Sequence, residues 1–274
     1  MKHKLNQQGF HHILLLLVIV VVGAIGFVGW KVATKDRNTN QADNGLTAKT
    51  NRSDTKNMPA PLKSIGFRLD YYDPATQRAG DFHFTKELAQ VLSGDPIFQK
   101  LIWSDYGIQD VRSPNDPSKR NVQPTFILPL STKVLAPIDG VVIRVETLYS
   151  KDWTIWFASS MEDTWSYETE HVSKPNVKIG DNVTAGQVVA EVSPHGSEHT
   201  RGFGILEIGL FHPLNNQPTH WCPFEHLGSS VKDDINKKIV ALYAAWEKYL
   251  GDPSVYNHKS YPTPGCATLE PTKG

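Results

Sequence analysis

The hydrophobic positions along the chain fall into three successive patterns, which are one continuous apolar run, a polar gap and a long alternating region. Residues 13–30 contain no charged side chain, and a run of 18 residues is about the minimum that crosses a bilayer core of roughly 30 Å. Residues 34–60 contain almost no large apolar side chain, so this segment cannot bury enough surface to offset its ordering entropy. The pattern therefore predicts a membrane-spanning segment at 13–32, a flexible tether at 33–60 and a folded region from there onwards.

The residues before the apolar run set its expected orientation. Lys2, His3 and Lys4 precede it, so the positive-inside rule predicts that residues 1–12 lie in the cytoplasm. A cleaved signal peptide is the alternative, although its apolar core is usually shorter than this run. The expected location is therefore the cell membrane, with a single membrane-spanning helix and an extracytoplasmic C-terminal domain.

Alternating apolar and polar positions dominate the folded region and predict a mainly β protein of the α+β type. Two strands are expected at 67–72 and 80–84, and Thr85 is placed to cap a short helix that follows. Residues 104–124 are polar and predict a loop. From there the pattern of strands and turns continues to Phe211. The 20 glycines and 18 prolines suit such a turn-rich chain.

A final helix is predicted after Ser230, within a C-terminal extension at residues 212–274. Ser230 and Asp233 approximate a capping box, and Gly251 with a following proline ends the helix. The helix carries an apolar stripe at spacings of four and three residues, which predicts a packing face. The members of this stripe are Ile235, Ile239, Leu242, Trp246 and Tyr249.

The chain has two cysteines, Cys222 and Cys266, and both lie outside the membrane in the predicted topology. Two thiols in an oxidising compartment predict one disulfide. It would close a loop of about 45 residues and stabilise the fold by roughly 4 kcal/mol at most. The formal net charge of the chain is zero, so its composition gives no reason to expect a nucleic-acid partner.

Two glycine-marked units carry the most specific signal of the folded region. VLAPIDGVVIRVET occupies residues 134–147, and NVKIGDNVTAGQVVAEV occupies residues 176–192. Together they resemble the duplicated hybrid motif of lipoyl and biotinyl carriers, membrane-fusion adaptors and lysostaphin-type (LytM-like) zinc endopeptidases. The matching positions are Ala136, Pro137, Asp139, Gly140, Gly180, Asp181, Val183, Gly186 and Gln187.

The segment between the two units distinguishes among these relatives. Its tryptophans and tyrosines alternate around SSMEDT, which predicts a β-hairpin. LytM-like domains have a hairpin at this place, so the resemblance to them covers residues 123–211. It implies a duplicated-hybrid-motif β-sandwich or barrel-sandwich with a hairpin insert and a C-terminal helix. Residues 61–122 hold few apolar residues for a core of their own and are expected to pack into the same core.

The zinc chemistry of LytM-like enzymes needs ligands that this chain lacks. In these enzymes a His and an Asp just before the first unit bind the ion, but residues 121–133 contain no His, Asp or Glu. Phe203 and Ile205 stand where the resemblance places two histidines. His171 and Glu207 are retained, but neither corresponds to a primary ligand. The resemblance therefore implies a degenerate domain without catalytic residues, bound metal or another cofactor.

Relocated ligands are the alternative, and they would make the chain an active zinc metalloendopeptidase. His195, His199 and His212 are the candidates, together with His171 and Glu207. His195 and His199 are four residues apart, which would place them on one face of a helix. However, SPHGSEHTRG is interrupted by proline and glycine and predicts a loop, which removes that argument.

The function expected from this combination is a non-catalytic, membrane-anchored protein that binds peptidoglycan or regulates a cell-wall hydrolase. A structural or adaptor component of an envelope complex is a second alternative. Aromatic faces with a few polar groups suit peptidoglycan sugars and peptides, although ordinary packing within the hairpin explains the tryptophans equally well. The residues expected in the remaining groove are Tyr167, His171 and Glu207, with Trp153, Trp156 and Trp165 as ligand contacts.

Overall fold

Antiparallel strands dominate the computed structural model of the chain, which describes residues 58–110, 113, 115–116 and 118–273. A small two-stranded hairpin precedes a ten-stranded sheet. The mainly β fold class is therefore confirmed. The strands are β1 (Arg78–Ala79), β2 (Phe82–His83), β3 (Trp103–Ser104), β4 (Thr125–Pro129), β5 (Lys133–Leu135), β6 (Gly140–Thr147), β7 (Trp153–Ala158), β8 (Ser166–Ser173), β9 (Asn182–Val183), β10 (Val188–Val192), β11 (Phe203–Phe211) and β12 (His220–Trp221).

The order of strands along the sheet is β3-β4-β11-β8-β7-β6-β9, with β10 pairing to β5 and β8, and β12 pairing to β11. The predicted hairpin insert is present as β7 and β8, which pair antiparallel and connect through the SSMEDT segment. Strands β4 and β8 flank β11, so the middle of the sheet is built from three segments that are far apart in sequence.

The two glycine-marked units contact each other through their turns. The Asp139 carboxylate in the first turn accepts a hydrogen bond of 2.8 Å from the Ala185 backbone N–H in the second. Gly140 follows that aspartate, and a Cβ atom at this position would lie 2.2 Å from the Ala158 carbonyl oxygen. A side chain at this position therefore cannot fit against β7, which explains the glycine in the first unit.

Among the residues that the structure describes, three α-helices accompany the sheet. Helix α1 spans Lys86–Gly94, and the Thr85 side chain caps it by accepting a hydrogen bond from the Leu88 N–H, as predicted. Helix α2 spans Ser197–Thr200, so the stretch predicted as a loop contains one short helical turn. Short 3-10 turns occur at Pro223–His226 and His258–Ser260.

Helix α3 spans Lys232–Leu250 and confirms the predicted C-terminal helix. The predicted capping box is wrong, because Val231 occupies the N-cap position and makes no side-chain capping bond. Gly251 ends the helix in the left-handed conformation, as glycine commonly does. The packing face is confirmed, since Ile239, Leu242, Tyr243 and Trp246 are buried.

The strand predicted at 67–72 is wrong, because these residues belong to no strand. Their alternation has another cause. Phe67 is buried in the core, while the neighbouring Arg68 is exposed and binds Asp81 in the turn between β1 and β2. A segment that crosses the end of a hairpin can bury every second side chain without forming backbone hydrogen bonds to a neighbouring strand.

One hydrophobic core unites the early and late parts of the described chain. The Trp103 ring lies at its centre, with ring centroids 4.6 Å from Phe126, 6.0 Å from Tyr243 and 6.1 Å from Phe67. These four rings come from the N-terminal part, the sheet and helix α3. The expected packing of residues 61–122 into a common core is therefore present, and the described residues belong to one compact unit.

The predicted disulfide between Cys222 and Cys266 is present, and both residues are fully buried. It fixes the C-terminal segment beside β3, where Tyr106 exchanges backbone hydrogen bonds with Gly265 and Ala267. Among the described residues, no helix is long and apolar enough to cross a membrane. The predicted segment at 13–32 and most of the tether lie outside the described residues.

Candidate ligand groove

A groove with a cavity of about 370 Å³ opens beside the end of β8 and the middle of β11. Glu170 on β8 lies directly opposite Glu207 on β11, and both side chains reach this cavity. His171 and His195 also line this cavity. Further apolar and polar residues complete the lining, including Phe98, Ser104, Thr125, Tyr149 and Ile205.

A bulge in β8 creates this arrangement. Thr169 pairs with Ile155, and Val172 pairs with Trp153. These two pairs are three residues apart along β8 but only two residues apart along β7, so β8 contains one extra residue there. His171 lies within the bulge and has a φ of 60°, in the left-handed region that non-glycine residues rarely adopt. Bulges commonly redirect a side chain beside a functional site. Glu170 and His171, which would point to opposite faces of a regular strand, thus both face the groove.

Asp152 orients the His171 ring. Its carboxylate lies 3.0 Å from His171 Nδ1 and also accepts hydrogen bonds from the Ser150 and Ser193 hydroxyls. Burial opposes the charge on Asp152, but the hydrogen bonds from His171, Ser150 and Ser193 outweigh it and lower the pKa to about 2. An ionised Asp152 requires the proton on Nδ1, which leaves Nε2 as the imidazole atom that faces away from it.

The charge on His171 depends on these neighbours. Burial lowers its pKa, but the bond to Asp152 and the negative charge of Glu207 more than offset this, so the net pKa is raised. The ring of His195 stacks on that of His171 with centroids 3.8 Å apart and an angle of 13°. Burial and the nearby His171 lower the pKa of His195. The two stacked rings thus differ in their tendency to hold a proton.

A third carboxylate lies behind the groove. Glu168 shares the face of Glu170 on β8, because side chains two residues apart point the same way. It accepts hydrogen bonds from Gln123 at 3.0 Å and Thr154 at 2.9 Å. Burial, followed by the charge of Glu168, raises the pKa of Glu170 to about 8. These acidic groups therefore hold a proton between them at neutral pH.

Of the residues predicted for the groove, His171 and Glu207 line it and Tyr167 does not. Tyr167 is buried in the core, and its hydroxyl donates a 2.8 Å hydrogen bond to the Ala60 carbonyl. Burial alone raises its pKa far above the usual range. Tyr167 therefore fastens the start of the folded region to the sheet.

The three predicted tryptophans occupy different surroundings. Trp153 lines a second depression, next to the first, that shares His195 and Glu198 with it. Trp156 packs beneath Arg144, whose guanidinium lies 4.7 Å from the ring centroid. Trp165 is only 7% exposed and belongs to the core. Only Trp153 thus lies where it can contact a ligand of the groove.

The relocated histidines do not come together. His195 and His199 both line the groove, but His199 lies on the exposed rim with 62% of its side chain accessible. His212 stacks on the Trp165 ring with centroids 4.2 Å apart, away from the groove lining. The set of His195, His199 and His212 therefore does not form one site.

Asp152, Glu168 and Glu170 are absent from the residues predicted for the groove. The alternation of Glu168 and Glu170 on a predicted strand was a usable signal, because it places both carboxylates on one face. The residues around Asp152 in the sequence form no pattern that predicts a place beside the groove. Its partner His171 is 19 residues away across the hairpin, and the bulge decides that the two side chains meet.

The zinc site implied by the LytM-like resemblance does not fit the residues present. The resemblance places two histidines at Phe203 and Ile205, of which Ile205 lines the groove and Phe203 is buried. An alkyl group and a phenyl ring do not replace imidazole ligands for Zn²⁺. These two positions therefore supply no ligand for the ion.

The sequence of residues 125–207 matches the model of Peptidase family M23. No curated protein matches the sequence of this chain. The structure is similar to LytU, with 24% identity and a TM-score of 0.33 over 41% of this chain and 74% of that chain.

Two further solved structures share part of the fold. A mutant catalytic domain of the prophage-encoded M23 protein EnpA from Enterococcus faecalis is 23% identical over 44% of this chain and 85% of its own length, with a TM-score of 0.33. The catalytic domain of the antimicrobial peptidase lysostaphin from Staphylococcus simulans is 20% identical over 47% and 89%, with the same TM-score. The part of the chain that is similar to M23 peptidases in sequence is residues 125–207, which is less than half of its length.

Proposed function

We propose that this protein is a membrane-anchored, extracytoplasmic M23-type domain that binds peptidoglycan in the groove without hydrolysing it. One observation carries the proposal. Ile205 lines the groove at a position where the resemblance places a histidine, which supports a cavity that is retained without that zinc ligand. A retained cavity without the catalytic ion is expected of a binding domain.

The chemistry of the groove suits a peptide or glycan ligand. Ligand sites are usually concave and largely apolar, with a few convergent polar groups that fix orientation. Here Phe98, Tyr149 and Ile205 supply the apolar surface, while Glu170 and His171 supply polar groups. Tyr149 is 89% exposed at the rim, where an aromatic ring is available to stack on a ligand.

The N-terminal part of the chain supports the proposed location. The apolar run at 13–32 is long enough to cross a bilayer, and the polar stretch at 33–60 is suited to act as a tether. With roughly 5–6 Å multiplied by the square root of its length, such a tether typically spans about 30 Å. This reach would hold the groove away from the membrane and close to the cell wall.

The first test is sedimentation of the full-length chain with insoluble peptidoglycan, combined with a search for released peptides. We expect the chain to sediment with the wall and to release nothing. Tyr149→Ala should weaken binding by about tenfold, the effect of losing an aromatic contact worth about 1.4 kcal/mol. Tyr71→Ala is the matched control, since Tyr71 is also exposed but is not among the groove-lining residues.

Three results would contradict the proposal, and two of them would indicate other functions. Chelator-sensitive release of wall peptides would indicate an active metallopeptidase with relocated ligands. Failure of the wild-type chain to sediment, together with recovery of a defined envelope complex, would indicate an adaptor subunit. Equal loss of binding in Tyr149→Ala and Tyr71→Ala would show that the ligand binds outside the groove.

A further inference from the structure

We propose that Glu170, His171 and Glu207 form a divalent-cation site on the wall of the groove, separate from the zinc position of M23 enzymes. These residues are not the ligands that the family resemblance implies. The site goes beyond the proposed wall binding, because an ion would bind there whether or not peptidoglycan is present.

The ligand atoms have the spacing that one small ion requires. One ligand atom from each of Glu170, His171 and Glu207 lies within 4.8 Å of the other two. An ion bound at about 2.0–2.2 Å from each atom needs pairs of ligands no more than about 4.4 Å apart, which small rotamer adjustments would provide. The cross-strand pairing of Glu170 with Glu207 holds the two carboxylates in register.

The His171 ring is already oriented as metal-bound histidines usually are. In metal sites the second ring nitrogen of a ligating histidine commonly donates to a carboxylate, which fixes the ring and its tautomer. Asp152 accepts this bond from Nδ1 at 3.0 Å and is itself held by Ser150 and Ser193. Nε2 is therefore the ligand atom, and Asp152 is a positioning residue.

The carboxylates also have supporting contacts. Thr125 Oγ1 donates to Glu207 Oε1 at 3.2 Å, and this bond helps to fix the second carboxylate at the groove wall. Metal ligands must be deprotonated, so an ion between Glu170 and Glu207 would take the place of the proton that Glu170 otherwise holds.

A second group, Asp152, His171 and His195, has ligand atoms equally close together but is poorly suited to a metal. Imidazole lone pairs lie in the plane of the ring. The rings of His171 and His195 stack face to face at 3.8 Å and 13°, so their lone pairs cannot converge on one ion. Asp152 is also occupied by three hydrogen-bond donors.

The donor set defines the class of ion and its chemistry. One imidazole and two carboxylates suit Zn²⁺ or Mn²⁺ better than a soft ion that prefers thiolates. The open groove leaves a coordination position for water or for an oxygen atom of a ligand. Two carboxylates neutralise the charge of the ion, so bound water would be less acidic than with neutral imidazole ligands. This is consistent with binding without hydrolysis.

The test measures Zn²⁺ binding to the full-length chain by equilibrium dialysis and elemental analysis. We expect about one Zn²⁺ per wild-type chain, and a loss of affinity of about 100-fold in Glu170→Gln and in His171→Gln. Asp152→Asn should lower affinity by about 10-fold to 100-fold, the usual effect of removing a partner of a ligating histidine. X-ray absorption should report one imidazole with oxygen ligands.

Two matched controls separate this site from other acidic or histidine groups of the groove. Glu198→Gln and His199→Gln should keep the wild-type Zn²⁺ affinity, because both side chains lie on the groove lining but neither belongs to the proposed ligand set. Near-ultraviolet circular dichroism of each variant checks that the tertiary structure is retained. A ligand variant that misfolds is replaced by Glu207→Gln, which is expected to lose affinity to the same extent.

Three results would overturn the site. They are absence of bound Zn²⁺ in the wild-type chain, equal loss in Glu198→Gln, and equal loss in His199→Gln, which would point to other groups of the groove. The proposed function is judged separately by wall sedimentation. A chain that binds peptidoglycan but no Zn²⁺ refutes only the cation site, and the reverse result refutes only the wall binding.

Discussion

Two buried aspartates of this fold have pKa values that are shifted in opposite directions. Asp105 lies beneath helix α3 and is 1% exposed, and Asp152 lies behind the groove and is 7% exposed. Burial raises the pKa of Asp105 to about 7, and the single side-chain bond from the Tyr243 hydroxyl does not reverse it. At Asp152 the effect of burial is outweighed by bonds from His171, Ser150 and Ser193, and the pKa falls to about 2.

The number of donors, more than the degree of burial, therefore decides the charge of each group. Around Asp105 the neighbouring groups are tyrosines, with the rings of Tyr243 and Tyr256 stacked 4.1 Å apart. Such surroundings favour a neutral acid that serves packing. Around Asp152 the donors converge on an ionised carboxylate, which then orients the imidazole of His171. Asp105 and the tyrosines around it pack within the core, whereas Asp152 keeps a negative charge beside a groove that is open to solvent.

The largest expected effect comes from Asp105→Asn. The folded pKa of Asp105 lies above its unfolded value of 3.8, so its contribution to stability is fully present below that value. This contribution is lost as the pH rises through about 7. At 1.36 kcal/mol for each pKa unit, the loss is on the order of 4 kcal/mol. Urea denaturation at pH 4 and pH 8 should show wild type losing this much stability relative to Asp105→Asn.

Asp70→Asn is the control for that measurement, since Asp70 is exposed and its replacement should leave the pH dependence of the wild type intact. If the stability difference between wild type and Asp105→Asn stays constant from pH 4 to pH 8, Asp105 is not a buried neutral acid.

An intermediate effect is expected from removing the disulfide by Cys222→Ala together with Cys266→Ala. The free energy of unfolding should fall by about 3 kcal/mol, because the crosslink no longer restricts the unfolded chain. The disulfide fixes the segment that covers Tyr106 and the neighbouring Asp105. The pH dependence attributed to Asp105 should therefore shrink as water reaches it. Chemical denaturation of the double variant and of the oxidised wild type measures both changes.

The binding properties of the groove serve as an internal control for the double cysteine variant. Its wall is built from β8, β11 and earlier segments, so wall sedimentation and Zn²⁺ binding of the double variant should match those of wild type. A parallel loss of groove binding would mean that the two regions are mechanically coupled.

The smallest expected effect comes from Asp152→Asn, which should destabilise the fold by about 2 kcal/mol at neutral pH. The amide has one acceptor oxygen where the carboxylate has two, so a buried donor from Ser150, Ser193 or His171 loses its partner. The sign is opposite to that of Asp105→Asn, which stabilises the fold at the same pH. Denaturation midpoints at neutral pH compare them, and equal signs would contradict the distinction between the two aspartates.

Much of the architecture follows from local patterns in the sequence. Thr85 caps helix α1, Gly251 ends helix α3, and the aromatic alternation around SSMEDT marks the hairpin of β7 and β8. In each case a few neighbouring residues impose a backbone geometry, so a short window contains the whole cause. The predictions at 67–72 and at Ser230 were wrong because alternation and cap-like residues do not specify which partner satisfies the backbone.

The groove could be predicted only in part. Its place in the chain and the presence of His171 and Glu207 are both visible in the sequence. The aromatic contacts were less predictable. Trp165 is of a residue type that often contacts ligands, but it lies in the core against His212. Alternation along the sequence does not show which face of a sheet is covered.

The sequence by itself indicated a mainly β domain that is similar to M23 peptidases and carries one disulfide, because those properties reside in residue identity and spacing. Only the tertiary structure decided that Asp152 orients His171, and that Glu170 and Glu207 face each other beside it. These contacts join residues 19 and 37 positions apart. They depend on strand register and on one bulge, which arise from packing across the whole sheet.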